Sequence, residues 1–129
     1  MEVTLAKTLF VGLGGGVGAV LRYVVGLAAN KYIGEDFPWG TMIVNVVGSF
    51  FIGLVVLIAA TQDWNENSKL LIITGLLGGF TTFSAFSSEN LLLLQSGRVG
   101  PMLANALSAL LLGVLFAWAG FSLAQKLGA

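Results

Sequence analysis

The residues able to do chemistry in this chain are few and clustered. Asn45 sits in the apolar run Met42-Ile43-Val44-Asn45-Val46-Val47, where its amide adds donors and an acceptor to a stretch that otherwise has none. It must face protein or a pore, since an isolated amide in lipid is unfavourable; the plainer role is an interhelical hydrogen bond. Phe80, Phe83 and Phe86 recur at i, i+3 and i+6 and share one helical face. Such a stripe is usually packing. Here it is interleaved with Thr81, Thr82, Ser84, Ser87 and Ser88, an odd mixture for a face turned to lipid. Ring edges carry positive quadrupole charge and can line an anion path without holding the ion tightly, and hydroxyls and amides can replace part of a hydration shell. Glu89 is the single carboxylate in or beside an apolar stretch, and serves either as a proton relay or as a hydrogen-bonded structural group. Arg22 either attracts an anion or snorkels to the interface. Asn105 and Ser108 admit the same two roles as Asn45.

Other chemistries are excluded by inventory. Cysteine and histidine are absent, which removes disulfides, thiolate chemistry, the commonest transition-metal ligands and the usual base near neutral pH. No nucleophile–base pair is visible, so the chain does not read as an enzyme. Net charge is zero, with no basic stretch to hold a nucleic acid. Gly14, Gly16 and Ala19 fit a loose G-x-G-x-x-A pattern, but a dinucleotide site needs a strand before it and a βαβ unit around it. Close helix packing explains these glycines better, with Gly12/Gly16 and Gly14/Gly18 as small-xxx-small pairs.

The elements that must position these residues are membrane helices. Of 129 residues, 57% are hydrophobic and only 9% charged, with a mean hydropathy of +0.94; soluble domains carry about 25% charged residues. A spanning helix needs about 20 mostly apolar residues. Four stretches qualify, running roughly over Thr8–Ala29, Gly40–Ala60, Leu70–Gln95 and Pro101–Leu123, and they fill one four-helix transmembrane domain over 1–129. Lys7 followed by an apolar run resembles a signal peptide, but the run is too long and contains Arg22, so a retained first helix is expected. Trp39, Trp64 and Trp118 lie near span ends, where headgroups favour them. Gly75, Gly78 and Gly79 followed by hydroxyls weaken the third span, and a break or distortion is expected between Gly78 and Ser84, buried against other helices.

Four spans place Lys7, Lys69 and Lys126 on one side and Lys31 and Arg98 on the other, with Arg22 near that second end. The positive-inside rule has almost nothing to act on. Either chains insert both ways and pair as an antiparallel homodimer, or a single loop or lipid effects fix the orientation.

Taken together, these segments resemble the Fluc (CrcB) family of fluoride channels. The resemblance rests on Gly14-Gly15-Gly16-Val17-Gly18-Ala19 with Leu21-Arg22-Tyr23, on Trp39-Gly40-Thr41, Val44-Asn45, Gly48-Ser49 and Gly53, and on the run from Gly78 to Ser87 with Glu89. It implies an all-α membrane protein with a broken third helix, assembled as an antiparallel dual-topology homodimer in the cell inner (plasma) membrane. It also implies two narrow pores per dimer, through which cytoplasmic fluoride leaves passively. By this similarity Phe83 and Phe86 line the pores, Asn45 supplies donors, Arg22 acts near an entrance, and Ser84 and Thr82 form the polar side of span three. A structural sodium ion would sit at the two-fold axis on backbone carbonyls, at the positions of Gly78 and Thr81. This chain departs from the family pattern in having Ala85 where a threonine is common. It also carries Asn105, Ala109 and Gly113 where an aromatic and serines are familiar, so Ser108 is the candidate pore hydroxyl of span four. The rival readings are a small multidrug-type proton-coupled antiporter, which would need a carboxylate in span one, and a scaffold that conducts nothing.

Overall fold

The structure, a computed structural model, describes residues 4–129, all helix and connecting turns. Helix α1 (Leu5–Tyr32) begins where the Thr4 hydroxyl accepts the Lys7 N–H at 3.2 Å, meeting one of the donors a helix start leaves free. Gly34, at φ 129°, turns the chain through Pro38 into α2 (Trp39–Thr61). The short α3 (Glu66–Lys69) is capped by the Asn65 side chain, which accepts the Ser68 N–H at 2.8 Å. It runs into a π-helical stretch, Leu70–Leu77, and then α4 (Gly78–Phe80). After Thr81 and Thr82 the chain resumes as α5 (Phe83–Gln95). Gly97, at φ 74°, closes that helix with the Arg98 N–H on the Leu93 carbonyl at 2.8 Å, and α6 (Val99–Lys126) follows. Pro101 lies in the first turn of α6, where a missing N–H costs nothing.

Four of these stretches are long and apolar enough to cross a membrane: Leu5–Tyr32, Trp39–Thr61, Glu66–Gln95 and Val99–Lys126. The chain is a multi-pass membrane protein. The spans overrun the sequence boundaries, and at two starts a polar cap accompanies the extension: Thr4 before α1, and Asn65, which lets the third span begin at Glu66, four residues before Leu70. The π-helical stretch was not foreseen, and nothing in Leu70-Leu71-Ile72-Ile73-Thr74 announces it.

Thr81 (φ −84°, ψ 158°) and Thr82 (φ −153°, ψ 119°) are extended, so the helical ladder of the third span is interrupted between Phe80 and Phe83. Lys7 Nζ pairs with Glu66 Oε2 at 2.9 Å at one end of the bundle. At the other end Asn30, Asp36, Ser96 and Arg98 surround a common cleft. Successive spans therefore alternate in direction. The closest packing is between spans that run the same way, α1 with the third span and α2 with α6.

Glycine makes both contacts. A Cβ at Gly14 would strike the Leu71 carbonyl, and one at Gly18 the Leu76 carbonyl; from the other side Gly75 and Gly79 sit against the backbone of Val11 and Gly15. Gly53 and Gly120 do the same between α2 and α6, against Ala117 and Phe50. Backbones this close gain dispersion and weak polar contacts, which drive helix association where lipid removes the hydrophobic force. The sequence reading is corrected for its other glycine pair. Methyl groups at Gly12 and Gly16 would meet open space, because those two face away from the third span.

Gly14→Ala is expected to force α1 off the third span and to lower stability by about 1–3 kcal/mol, the range for overpacking. Gly12→Ala should leave the thermal unfolding transition of purified protein in detergent unchanged. Equal transitions for the two variants would refute the contact.

Candidate functional site

The interruption frees backbone groups that lipid cannot satisfy, and their partners define the site. Asn45, midway along α2, meets both polar groups of Thr82. Its Oδ1 accepts the Thr82 N–H at 2.8 Å and its Nδ2 donates to the Thr82 carbonyl at 3.0 Å. The Thr82 hydroxyl caps α5 by accepting the Ala85 N–H at 3.1 Å, and lies 3.4 Å from the Ser84 hydroxyl. Thr81 turns its hydroxyl back onto the Leu77 carbonyl at 3.0 Å, and its methyl packs where a Cβ on Gly48 would stand. Arg22 Nε donates to the Gly79 carbonyl at 3.1 Å. The guanidinium is thus turned inward onto the interrupted span and holds one of the carbonyls that the missing turn leaves open.

Two open clefts flank the Asn45–Thr82 pair. One, of about 360 Å³, is lined by Asn45, Ser49, Gly78, Thr81, Thr82 and Phe83. The other, of about 320 Å³, is lined by Arg22, Asn30, Thr41, Thr82, Ala85 and Glu89. Thr82 borders both. Phe83 is 79% exposed and its ring centroid lies 5.7 Å from that of Phe86, both on α5, whereas Phe80 ends α4 on the other side of the interruption and does not share their helix. Glu89 Oε1 accepts the Thr41 hydroxyl at 2.6 Å. Its Oε2 is buried without a partner, alone among the buried side-chain polar atoms described.

The structure thus brings Arg22, Asn45, Thr81, Thr82, Ser84, Phe83, Phe86 and Glu89 around one interruption. Ser108 stands apart: its hydroxyl turns back to the Ala104 carbonyl of its own helix, and it lines neither cleft. Sequence reasoning missed the parts played by Thr41 and Ser49. The signal was there, since Thr41, Asn45 and Ser49 recur at i, i+4 and i+8 and form a polar stripe on α2.

Asn45→Ala should leave the Thr82 N–H and carbonyl unpaired at a cost of about 1–3 kcal/mol for each buried group. Hydrogen–deuterium exchange read at Thr82 and Phe83 should accelerate well beyond exchange in α2. Unchanged protection there would mean that the amide pair does not hold the interruption.

Residues 9–121 match the family described as CrcB-like protein, Camphor Resistance (CrcB). The chain is 44% identical over 121 residues to a protein of Thermus thermophilus named fluoride-specific ion channel FluC, covering 94% of this chain and 95% of that one. Proteins of the same name from Campylobacter lari and Agrobacterium fabrum are 45% and 42% identical over 117 and 118 residues. Each comparison covers 91% of this chain, and 96% and 94% of the respective relative. With that match along nearly its whole length, and with the interruption built from the residues that carry the likeness, the chain belongs to the CrcB family.

Proposed function

We propose that the protein is a fluoride-selective passive channel, not an enzyme. In this reading it exports cytoplasmic fluoride across the inner membrane as an antiparallel homodimer with two pores. The observation that carries the reading is the amide pair of Asn45 with Thr82, which holds an opened helix at membrane depth with Phe83 laid bare beside it. Relatives that share more than two-fifths of its residues bear the name of fluoride channels.

The donors suit a small hard anion. Nδ2 of Asn45 has two hydrogens, and Thr82 takes one of them. Helix α5 starts beside the cleft, so the amides of its first turn and the positive end of its dipole favour an anion there. The positive edges of Phe83 and Phe86 offer further weak contacts. Several weak sites in series let an ion enter and leave, as conduction requires. In the proposed dimer a second copy covers the exposed Phe83 and closes the 360 Å³ cleft into a conduit.

The interruption also fits a structural sodium ion. The Thr82 N–H bonds Asn45 instead of continuing the ladder onto the Gly78 carbonyl, and Thr81 lies outside either helix. Carbonyl oxygens of this kind are ligands for a hard cation. Gly78 and Thr81 would hold the ion, which supplies positive charge against their carbonyl dipoles and is not transported. The antiporter reading lacks its essential group, since α1 contains no carboxylate.

Liposomes loaded with fluoride and reconstituted with the protein should release it to a fluoride electrode, and chloride should be retained. Absence of release, or equal chloride flux, would reject the proposal. Phe83→Ile should cut the release rate while the protein still elutes as a dimer; an unchanged rate would take that ring out of the path.

A further inference from the structure

Asn105 is the one buried polar residue described in the structure, at 1% exposure, and it lies on a helix whose neighbouring positions are Ala104, Ala106 and Ala109. Its Nδ2 donates to Asn90 Oδ1 on α5 at 2.9 Å. A buried amide is destabilising unless bonded, and an alanine there would carry no such cost. The bond therefore needs a reason beyond packing.

The reason lies in how α5 is attached. Only Leu93 of that helix is buried, so apolar packing holds it weakly. Three polar ties do the rest: Asn45 to Thr82 at its start, Thr41 to Glu89 in its middle, and Asn105 to Asn90 one residue further on. The first two come from α2 and the third from α6. At 100° per residue, Asn90 stands within about 20° of Phe83 and about 40° of Phe86 on the helical wheel, whereas Glu89 stands about 120° from Phe83. The α6 tie thus grips the ring-bearing face itself, two turns beyond Phe83, and the Thr41 tie grips its flank.

We infer that Asn105 is a positioning residue, which through Asn90 fixes the rotation of α5 and so the direction in which Phe83 and Phe86 face the proposed fluoride path. The inference rests on the channel reading for its effect on flux, but not for its effect on the rings. Two readouts separate the cases. In protein labelled with fluorophenylalanine, the 19F resonances of Phe83 and Phe86 should shift or broaden in Asn105→Ala and in Asn90→Ala. In planar bilayers the unitary fluoride current of each variant should fall below that of the wild type. The double variant should do no worse than either single one, because both remove the same bond. Asn90 is half-buried, so Asn90→Ala gives a reading even where Asn105→Ala does not assemble. A bond that merely stabilised the fold would lower the yield of assembled protein and leave the unitary current alone. Unmoved resonances overturn the inference whatever the current does. Moved resonances with wild-type current overturn the link to permeation. A wild type that carries no current defeats the channel reading, and the resonances then still decide whether Asn105 orients the rings.

Discussion

A helix opened inside a membrane must find partners for the groups it frees, and here one side chain meets both polar atoms of the central residue. Asn45 reads the backbone of Thr82 as another strand or turn would, giving an acceptor to its N–H and a donor to its carbonyl. Asn is the shortest side chain that carries both functions in one plane. It can reach only because α2 comes close at Gly48, where the Thr81 methyl fills the space a side chain would need. The Ser49 hydroxyl, one turn on, bonds the Asn45 carbonyl at 2.6 Å and keeps that oxygen occupied from the same face. Were the amide pair lost, the Thr82 N–H and carbonyl would have no other partner described, although the Thr82 hydroxyl would still cap α5 and Arg22 would still hold the Gly79 carbonyl.

The surroundings of the interruption are closely packed. Helix α1 lies against the third span backbone to backbone, through Gly14, Gly18, Gly75 and Gly79. Gly14 faces the Leu71 carbonyl and the Leu76 amide, five residues apart, the spacing that a π-turn joins. The wide turn and the absent side chain occupy the same place, so each accommodates the other. Further along, Arg22 takes the Gly79 carbonyl. A charge this far into a span is unfavourable unless it is bonded, and a carbonyl stripped of its helical donor is unfavourable for the complementary reason. Each group offsets the cost of the other.

How much of this was legible in the sequence depended on the range of the interaction. The spans were legible because apolar length is a local property, and their ends were misjudged where single polar caps such as Asn65 extend them. The special residues of the third span stood out because glycine and hydroxyls violate the lipid-facing pattern. What they bond to did not stand out: the Asn45–Thr82 pair joins residues 37 apart, and Arg22–Gly79 joins residues 57 apart. Among the glycines, composition could not separate Gly14 and Gly18 from Gly12 and Gly16, since both pairs have the same spacing and only the facing helix distinguishes them. Ser108 shows the same limit of range. A hydroxyl in a span can serve a path or its own helix, and the i−4 carbonyl is always nearer.

The charge balance gains meaning once the ends of the bundle are known. Lys7 and Lys69 flank the Glu66 end, and α6, parallel to α2, brings Lys126 to it. Lys31 and Arg98 mark the other end, with Arg98 in a cleft beside Asp36. Arg22 leaves the count, because its guanidinium is committed to a carbonyl within the bundle. The remaining difference is three against two, too small for the flanking charges to direct insertion strongly. For most membrane proteins a weak instruction is a handicap, since half the chains end up facing the wrong way. In the proposed antiparallel pair it is the requirement, because each orientation supplies the copy that covers the other's exposed Phe83. A lysine or arginine added to either end would work against assembly before it touched the path itself.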